Sequence, residues 1–191
     1  MVHSIGSLIR NVILNGYRQI MYKNVSITLI MASAIAAILI VPWAALQRSH
    51  AQSDLVNSIL ALHNSERAAV GVPALVWSDK LAADAKPWAE HLATSGEFVH
   101  DTNRGNVGEN IAGFFSGVSA PGEGQSKWVD EKKDWNGGTC ASGKVCGHYT
   151  QMVWRDTKEV GCATAKGGGH AFSILVCRYS PPGNYPGQKP Y

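Results

Sequence analysis

The sequence lacks the motifs of the common hydrolases and has no basic block. No serine, cysteine or threonine stands in a nucleophile motif such as G-x-S-x-G, and the H-E-x-x-H motif of zinc proteases does not occur. Four of the 17 basic residues and none of the 14 acidic residues precede Gln52, which leaves 13 basic against 14 acidic side chains after it, a net charge of −1. Because nucleic-acid binding needs a basic patch or stripe, a nucleic-acid partner is excluded.

Acidic residues are absent from the first 51 positions, which carry a long apolar run instead. Residues 25–46 are uncharged and long enough to span a bilayer as a helix, with a basic flank on the N-terminal side. A small-x-small cleavage site follows, ending at Ala51. We expect residues 1–51 to be a cleaved signal peptide, with a retained signal anchor as the alternative. Counting from Met21 gives a signal of ordinary length, so Met21 is expected to be the true start.

Cysteines are few, and all of them lie in the last third of the chain, at Cys140, Cys146, Cys162 and Cys177. In an exported chain an even number of cysteines predicts disulfides, and four cysteines allow three connectivities. Pairing Cys140 with Cys146 and Cys162 with Cys177 is the most local of the three. A zinc site that uses Cys146 and His148 is the alternative, although oxidised sulfurs cannot be thiolate ligands.

Residues 52–191 have the commonest size of a single domain with its own core, and they end in a Pro/Gly-rich tail, residues 180–191. Apolar residues at helical spacing predict three helices. The second is expected to be capped by Ser78 and ended by Gly96. Pro87 lies inside it and should kink or divide it.

The first predicted helix is capped by Ser53 and ended by Gly71, and the third covers residues 124–135. Two β-like runs follow, residues 159–166 and 170–179, and the three glycines between them predict an antiparallel hairpin. Helices followed by a hairpin within one small domain indicate a sheet covered by helices.

Four residues with imidazole or carboxylate side chains are candidates for site chemistry: His100, Glu109, Glu131 and His148. Each lies in or beside a glycine-rich turn or on the third predicted helix. Each also has a structural explanation when it is taken alone. A lone histidine is more often a hydrogen-bonding group than a ligand, and Glu131 stands in a charged run that is typical of a solvated helix face.

Five motifs in order give these residues a context: "LHNSERAAVGVPALVWSDKLAADA", "FVHDTNRGNVGENIA", "KWVDEKKDW", "CGHYTQMVWRDTKEVGC" and "CRYSPPGNYPG". On these motifs the chain from Asp54 to Tyr191 resembles the CAP superfamily of cysteine-rich secretory proteins, antigen 5 and pathogenesis-related type 1 proteins. It is most similar to the plant-type and microbial members. The resemblance implies an α+β fold, a three-layer α-β-α sandwich with a central antiparallel sheet.

By this resemblance, the four candidate residues form the His/Glu/Glu/His tetrad of the family. Two neutral imidazoles can bind Zn²⁺ or another divalent cation, with the glutamates as further ligands or as acceptors that orient each ring. Alternatively, a glutamate acts as general base on a bound water, or the tetrad is a polar network that only holds the groove together. No residue is assigned as catalytic.

The resemblance also implies two scaffold disulfides, Cys140–Cys146 and Cys162–Cys177. The family's usual third bridge would need cysteines near Glu97 and Gly167, and neither is present. The rigidity of the loop before His100 is therefore in question.

The function that the resemblance implies is that of a secreted, extracellular, monomeric binding protein for a lipid or sterol-like molecule. Residues 99–126 are predicted to be mostly loop, except around residues 108–115, and Phe114 and Phe115 are interpreted as the apolar tip of a flexible loop and as the candidate ligand contacts. Their packing on the third helix is the alternative. Contact with a membrane is expected only through the N-terminal segment, which would leave the domain outside the cytoplasm if the anchor is retained.

Two alternative functions belong to other classes. A metal-dependent extracellular hydrolase would use the tetrad, although the sequence makes no strong case for catalysis. A signalling-peptide precursor would release the C-terminal tail, as some plant members do, but Arg178 stands here where those proteins usually carry asparagine. The tail's packing on the domain is the simpler expectation.

Overall fold

The computed structural model describes residue 50 and residues 52–115, 121–167 and 172–191. The chain divides into two units, Met1–Ala51 and Gln52–Tyr191. The predicted signal segment, residues 25–46, lies outside the described residues. Within the described ranges, no helix combines the length and the apolar character needed to cross a membrane.

Four α-helices and four strands make up the described part of the second unit. In chain order they are α1 (52–69), β1 (Val76–Trp77), α2 (Asp79–Ser95), β2 (Gly108–Phe115), α3 (Pro121–Asp130), α4 (Gly147–Met152), β3 (Glu159–Lys166) and β4 (Phe172–Ser180). A 3-10 turn, Glu131–Asp134, directly follows α3.

The strands form one sheet in the order β1-β3-β4-β2. Strand β4 pairs antiparallel with β3 and with β2, which confirms the predicted hairpin and the antiparallel centre of the sheet. The two-residue β1 pairs parallel with β3, so one edge of the sheet departs from the antiparallel expectation.

Helices cover both faces of this sheet because alternate residues of a strand point to opposite sides. The buried cluster on one face joins the sheet to α2 and consists of Ala85, Ala89, Leu92, Ile111, Ile174 and Val176. The cluster on the other face joins the sheet to α1, α3 and α4 and includes Ile59, Phe114, Trp128, Met152, Leu175, Cys177 and Tyr179. The three-layer α-β-α arrangement is confirmed.

The ends of α2 follow the predicted signals. The Ser78 hydroxyl accepts the backbone N–H of Leu81, and Gly96 ends the helix in the left-handed conformation at φ 75°. Pro87 does not divide α2, which continues through it. The prediction for α1 was wrong at its start, since residue 52 is already helical and Ser53 lies within the helix.

Both disulfides that the resemblance implies are present, Cys140–Cys146 and Cys162–Cys177. Cys162 and Cys177 stand directly opposite each other on β3 and β4. The alternative of a zinc site built on Cys146 is wrong, because its sulfur is in a disulfide.

Candidate functional site

Glu131 begins the 3-10 turn after α3 and holds His148 at the start of α4. Its Oε1 accepts the Nδ1–H of the His148 ring at 2.5 Å, and its Oε2 accepts the backbone N–H groups of His148 at 3.0 Å and Tyr149 at 3.1 Å. The first N–H groups of a helix lack partners within the helix, so this carboxylate caps α4 as well as orienting the ring.

Glu109 on β2 holds His100 in a second pair. Glu109 Oε1 accepts the Nδ1–H of His100 at 2.8 Å and the backbone N–H of Asp101 at 3.0 Å. The Glu109 side chain is fully buried, with 0% of its surface exposed, whereas 54% of the His100 side chain is exposed. Arg178 on β4 lies beside the pair, with its Nε 3.2 Å from Glu109 Oε2.

Arg178 also contacts Asp101, where its Nη2 donates to Oδ2 at 2.7 Å. Burial alone would raise the pKa of Asp101, but the hydrogen bonds from Arg178 and from the backbone of Asn103, together with the charge of Arg178, bring this pKa below its ordinary value. Asp101 therefore stays ionised as the second partner of a buried guanidinium.

The four tetrad residues thus form two His–Glu pairs. Among the residues that the structure describes, no three histidine, cysteine, aspartate or glutamate side chains are grouped so that they could hold one metal ion. The contacts of both glutamates are those of acceptors that orient a ring. A carboxylate can only accept, so each ring carries its proton on Nδ1 when it is neutral, and each Nε2 keeps a lone pair.

The donor set therefore fits a divalent ion only in part. The two Nε2 atoms have the chemistry of metal ligands, and the carboxylates on the opposite ring nitrogens are the outer partners that ligating histidines usually have. The carboxylates themselves are already occupied by N–H donors and by Arg178.

A buried polar chain runs from α1 to the backbone of His148. His63 donates from Nδ1 to the Ile59 carbonyl at 2.8 Å, and its Nε2 accepts the Tyr179 hydroxyl at 2.9 Å. Asn110 donates to the Tyr179 hydroxyl at 3.2 Å and to the His148 carbonyl at 3.0 Å. Asn110 follows Glu109 on β2, so one strand contacts both halves of the tetrad. Sequence reasoning missed this chain, because its members are far apart in the sequence.

A cavity of about 350 Å³ opens beside the His148–Glu131 pair. It is lined by Phe98, Ile111, Ala112, Gly113, Lys127, Trp128, Glu131 and His148. The rings of Trp128 and His148 stack with centroids 6.1 Å apart, and the Trp128 indole N–H donates to the Ile111 carbonyl at 3.2 Å. The cavity has mostly apolar walls and one polar end. His100 and Glu109 are not among its lining residues.

The predicted ligand contacts need a correction. Phe114 lies in β2 rather than on a loop, and only 5% of its surface is exposed because it packs in the core. Phe115 ends β2, and its side chain lies outside the described residues. Phe98 is instead the phenylalanine that lines the cavity, and 57% of its surface is exposed. Its position two residues before His100 was the only sequence signal that could have indicated it.

The C-terminal tail, residues 180–191, packs on α4. The Thr150 hydroxyl donates to the Asn184 side-chain oxygen at 2.7 Å, and the Asn184 amide donates to the Gly147 carbonyl at 2.8 Å. The tail therefore contacts the turn that carries His148, as the simpler expectation had it.

Comparison with known proteins places this fold and site in a family. The family model described as "Cysteine-rich secretory protein family" (CAP) matches residues 60–179. Pathogenesis-related protein 1A of Nicotiana tabacum is 42% identical over 74% of this chain and 82% of the tobacco protein. Pathogenesis-related protein 1 of Arabidopsis thaliana is 41% identical over 85% of this chain and 94% of that protein.

A solved structure, the venom allergen-like protein 4 of Schistosoma mansoni, is similar at a TM-score of 0.60 and 25% identity, covering 72% of this chain and 93% of that one. The chain therefore belongs to the cysteine-rich secretory protein (CAP) family. Within this family it is of the pathogenesis-related type 1 kind, since the tobacco and Arabidopsis relatives that match it at about 40% are proteins of that type.

Proposed function

We propose that this protein is an extracellular binding protein that holds an amphipathic, lipid- or sterol-like molecule in the cavity beside His148. The cavity itself is the observation that carries the proposal. Its volume of about 350 Å³ lies in the range of roughly 300–1,000 Å³ that small-molecule sites occupy.

The lining of the cavity suits a molecule with an apolar body and a hydroxyl head. Phe98, Ile111 and Trp128 offer apolar surface, whose burial stabilises a complex by roughly 25 cal/mol per Å². His148 donates its Nδ1–H to Glu131, so the nitrogen that remains is an acceptor for a hydroxyl proton. Lys127 is also part of the lining, but its ammonium donates to the Gly113 carbonyl at 3.0 Å.

Equilibrium binding of a radiolabelled sterol to the purified protein tests this proposal. We expect saturable binding, and Phe98→Ala should weaken it roughly tenfold through lost apolar contact. Val145→Ala is the matched control, because Val145 is also an exposed apolar residue, at 61%, and does not line the cavity. His148→Gln should weaken binding of the sterol more than binding of its analogue without the hydroxyl. Binding that no cavity substitution alters would contradict the proposal.

The extracellular location is supported by the N-terminal sequence and by the secretory family. Cleavage after Ala51 would release a chain that begins at Gln52. Mass spectrometry of protein purified from the medium reads this terminus directly. Recovery of the chain in the membrane fraction after a carbonate wash would favour the retained anchor.

A second candidate function is binding of Zn²⁺ or another divalent ion through the Nε2 atoms of His100 and His148. It is favoured by the glutamate on each Nδ1, which fixes the tautomer that a ligand needs. A ligating imidazole must be neutral, so affinity should fall as the pH is lowered. Zinc calorimetry at two pH values should detect binding that His148→Ala abolishes and that His91→Ala, a change at an exposed histidine, leaves intact.

The hydrolase and peptide-precursor alternatives stay predictions. A protease screen of the wild type against Glu109→Gln tests the first. Peptide analysis of the medium for a released tail tests the second.

A further inference from the structure

We infer that Arg178 lowers the affinity of the tetrad for a divalent ion: its buried guanidinium stands beside Glu109 as a built-in cation and keeps the His100–Glu109 pair from serving as half of a metal site. The inference rests on the second candidate function and refines it. It narrows that function from both histidines to one, because zinc in the wild type would then be bound by His148 and not by His100.

The position of Arg178 is fixed by the sheet. It stands directly opposite Glu109 in the pairing of β4 with β2, so the guanidinium and the carboxylate arise from neighbouring backbone positions. Only 2% of the Arg178 side chain is exposed, and its Nε lies 3.2 Å from Glu109 Oε2. This contact is an ion pair rather than a directed hydrogen bond.

The guanidinium contacts Asp101 as well as Glu109, so that every carboxylate oxygen of these two residues has a partner. Glu109 Oε1 accepts from His100 and from the Asp101 backbone, and Glu109 Oε2 faces Arg178. Asp101 Oδ1 accepts the backbone N–H of Asn103 at 2.8 Å, and Oδ2 accepts from Arg178 at 2.7 Å. Each of these four oxygens thus has a donor or a cation close to it.

An arginine in this place acts as a permanent positive charge. Its guanidinium does not lose its proton in a protein, so it cannot make way for a metal by becoming neutral. A divalent ion on the half-exposed His100 ring would be repelled by this charge, which is itself buried and therefore weakly screened. It would also gain little from Glu109, whose charge Arg178 already offsets.

The test measures zinc affinity by calorimetry on the full purified protein. The double variant Arg178→Gln/Asp101→Asn removes one positive and one negative charge, so the local net charge is kept while Glu109 loses its cation. We expect zinc to bind this variant at least tenfold more tightly than the wild type, about the change seen when the outer partners of metal ligands are altered. Adding His100→Ala should remove the gain.

The matched control is Lys86→Gln/Glu90→Gln, which removes an exposed ion pair of α2 with the same net change in charge. It should leave zinc affinity unchanged. As a single substitution, Glu109→Gln should also leave zinc affinity within about twofold. The reason is that the Glu109 carboxylate is already paired with Arg178, so the His100–Glu109 pair takes no part in binding. If thermal melting shows that the double variant does not fold, the zinc affinity of Glu109→Gln tests the role of Arg178 instead.

The outcomes separate the two claims. Wild-type binding that His148→Ala abolishes, together with a double variant that binds no more tightly, would keep the second candidate function and overturn the role of Arg178. Binding only by the double variant would support the role of Arg178 and reject zinc binding by the wild type. Loss of wild-type binding in Glu109→Gln, or no binding by any folded variant, would overturn the inference.

Discussion

At the residue scale, His63 is a buried histidine that the tetrad does not include. Its surroundings fix its state, since the Ile59 carbonyl can only accept and therefore keeps the ring proton on Nδ1. Burial lowers the pKa of His63 to about 4, and the nearby charge of Arg67 adds to this, against the hydrogen bond from the ring to Ile59 and a smaller opposing influence of Gln125. The folded protein therefore keeps the ring neutral near pH 6.5, where the ring is already taking up a proton in the unfolded chain.

The stability of the protein should therefore fall in mildly acidic solution. The unfolded chain takes up the His63 proton near pH 6.5, whereas the folded protein takes it up only near pH 4. The neutral His63 ring contributes on the order of 3 kcal/mol to the free energy of unfolding. This contribution is fully present above pH 6.5 and is lost as the pH falls toward 4. Urea unfolding at a series of pH values measures this slope.

Two variants identify the source of that slope. His63→Gln should flatten the pH dependence between 6.5 and 4, whatever it does to stability at neutral pH. His91→Gln, at an exposed histidine, should leave the slope as it is in the wild type. An unchanged slope in His63→Gln would assign the effect to other groups.

At the scale of elements, the contact between α2 and β3 depends on the absence of a side chain at Gly161. A Cβ built on Gly161 would lie 2.3 Å from the Ala82 nitrogen, 2.3 Å from the Ser78 oxygen and 2.7 Å from the Leu81 Cβ. Two of these atoms are backbone and cannot rotate away. The first turn of α2, capped by Ser78, therefore packs directly against the backbone of β3.

Gly161→Ala should lower the free energy of unfolding by roughly 3 kcal/mol, because either α2 or β3 must move to admit the methyl group. Gly138→Ala is a suitable comparison, since the nearest atom to a Cβ there is the mobile end of Lys189 at 3.7 Å. Chemical denaturation followed by circular dichroism measures both variants. Equal stability of Gly161→Ala and the wild type would contradict this close packing of α2 against β3.

At the scale of the whole molecule, Arg67 ties the first helix to the chain beyond α4. Its guanidinium donates to the carbonyls of Pro73 at 2.6 Å, Met152 at 3.0 Å, Trp154 at 2.8 Å and Thr157 at 3.0 Å. Burial lowers the pKa of Arg67 to about 10. One side chain thus satisfies backbone acceptors far apart in the sequence.

Arg67→Lys should cost on the order of 3 kcal/mol, because a single ammonium cannot reach all of these carbonyls and those left without a donor stay buried. Arg155→Lys is the control, since Arg155 is exposed. The melting temperatures of the two variants at neutral pH make the comparison. A similar small shift in both would show that the carbonyls find water or other donors.

The sequence by itself determined the features that depend on neighbours along the chain. Ser78 and Gly96 mark the ends of α2 because capping and left-handed backbone are local properties of those residue types. The hairpin of β3 and β4 followed from two β-like runs close together, and the pairing of its cysteines was implied by the resemblance to the family. The family's motifs identified the tetrad, and the structure forms it as two His–Glu pairs.

Only the tertiary structure decided which distant residues meet. Glu109 and Arg178 are far apart in the chain, and the pairing of β2 with β4 alone makes them neighbours. The same pairing turned Phe114 into a core residue, whereas the placement of the loop before His100 left Phe98 at the cavity. Strand register is set by the burial of whole faces across the sheet, since a shift of one residue would exchange the buried and exposed sides. No local pattern contains that information.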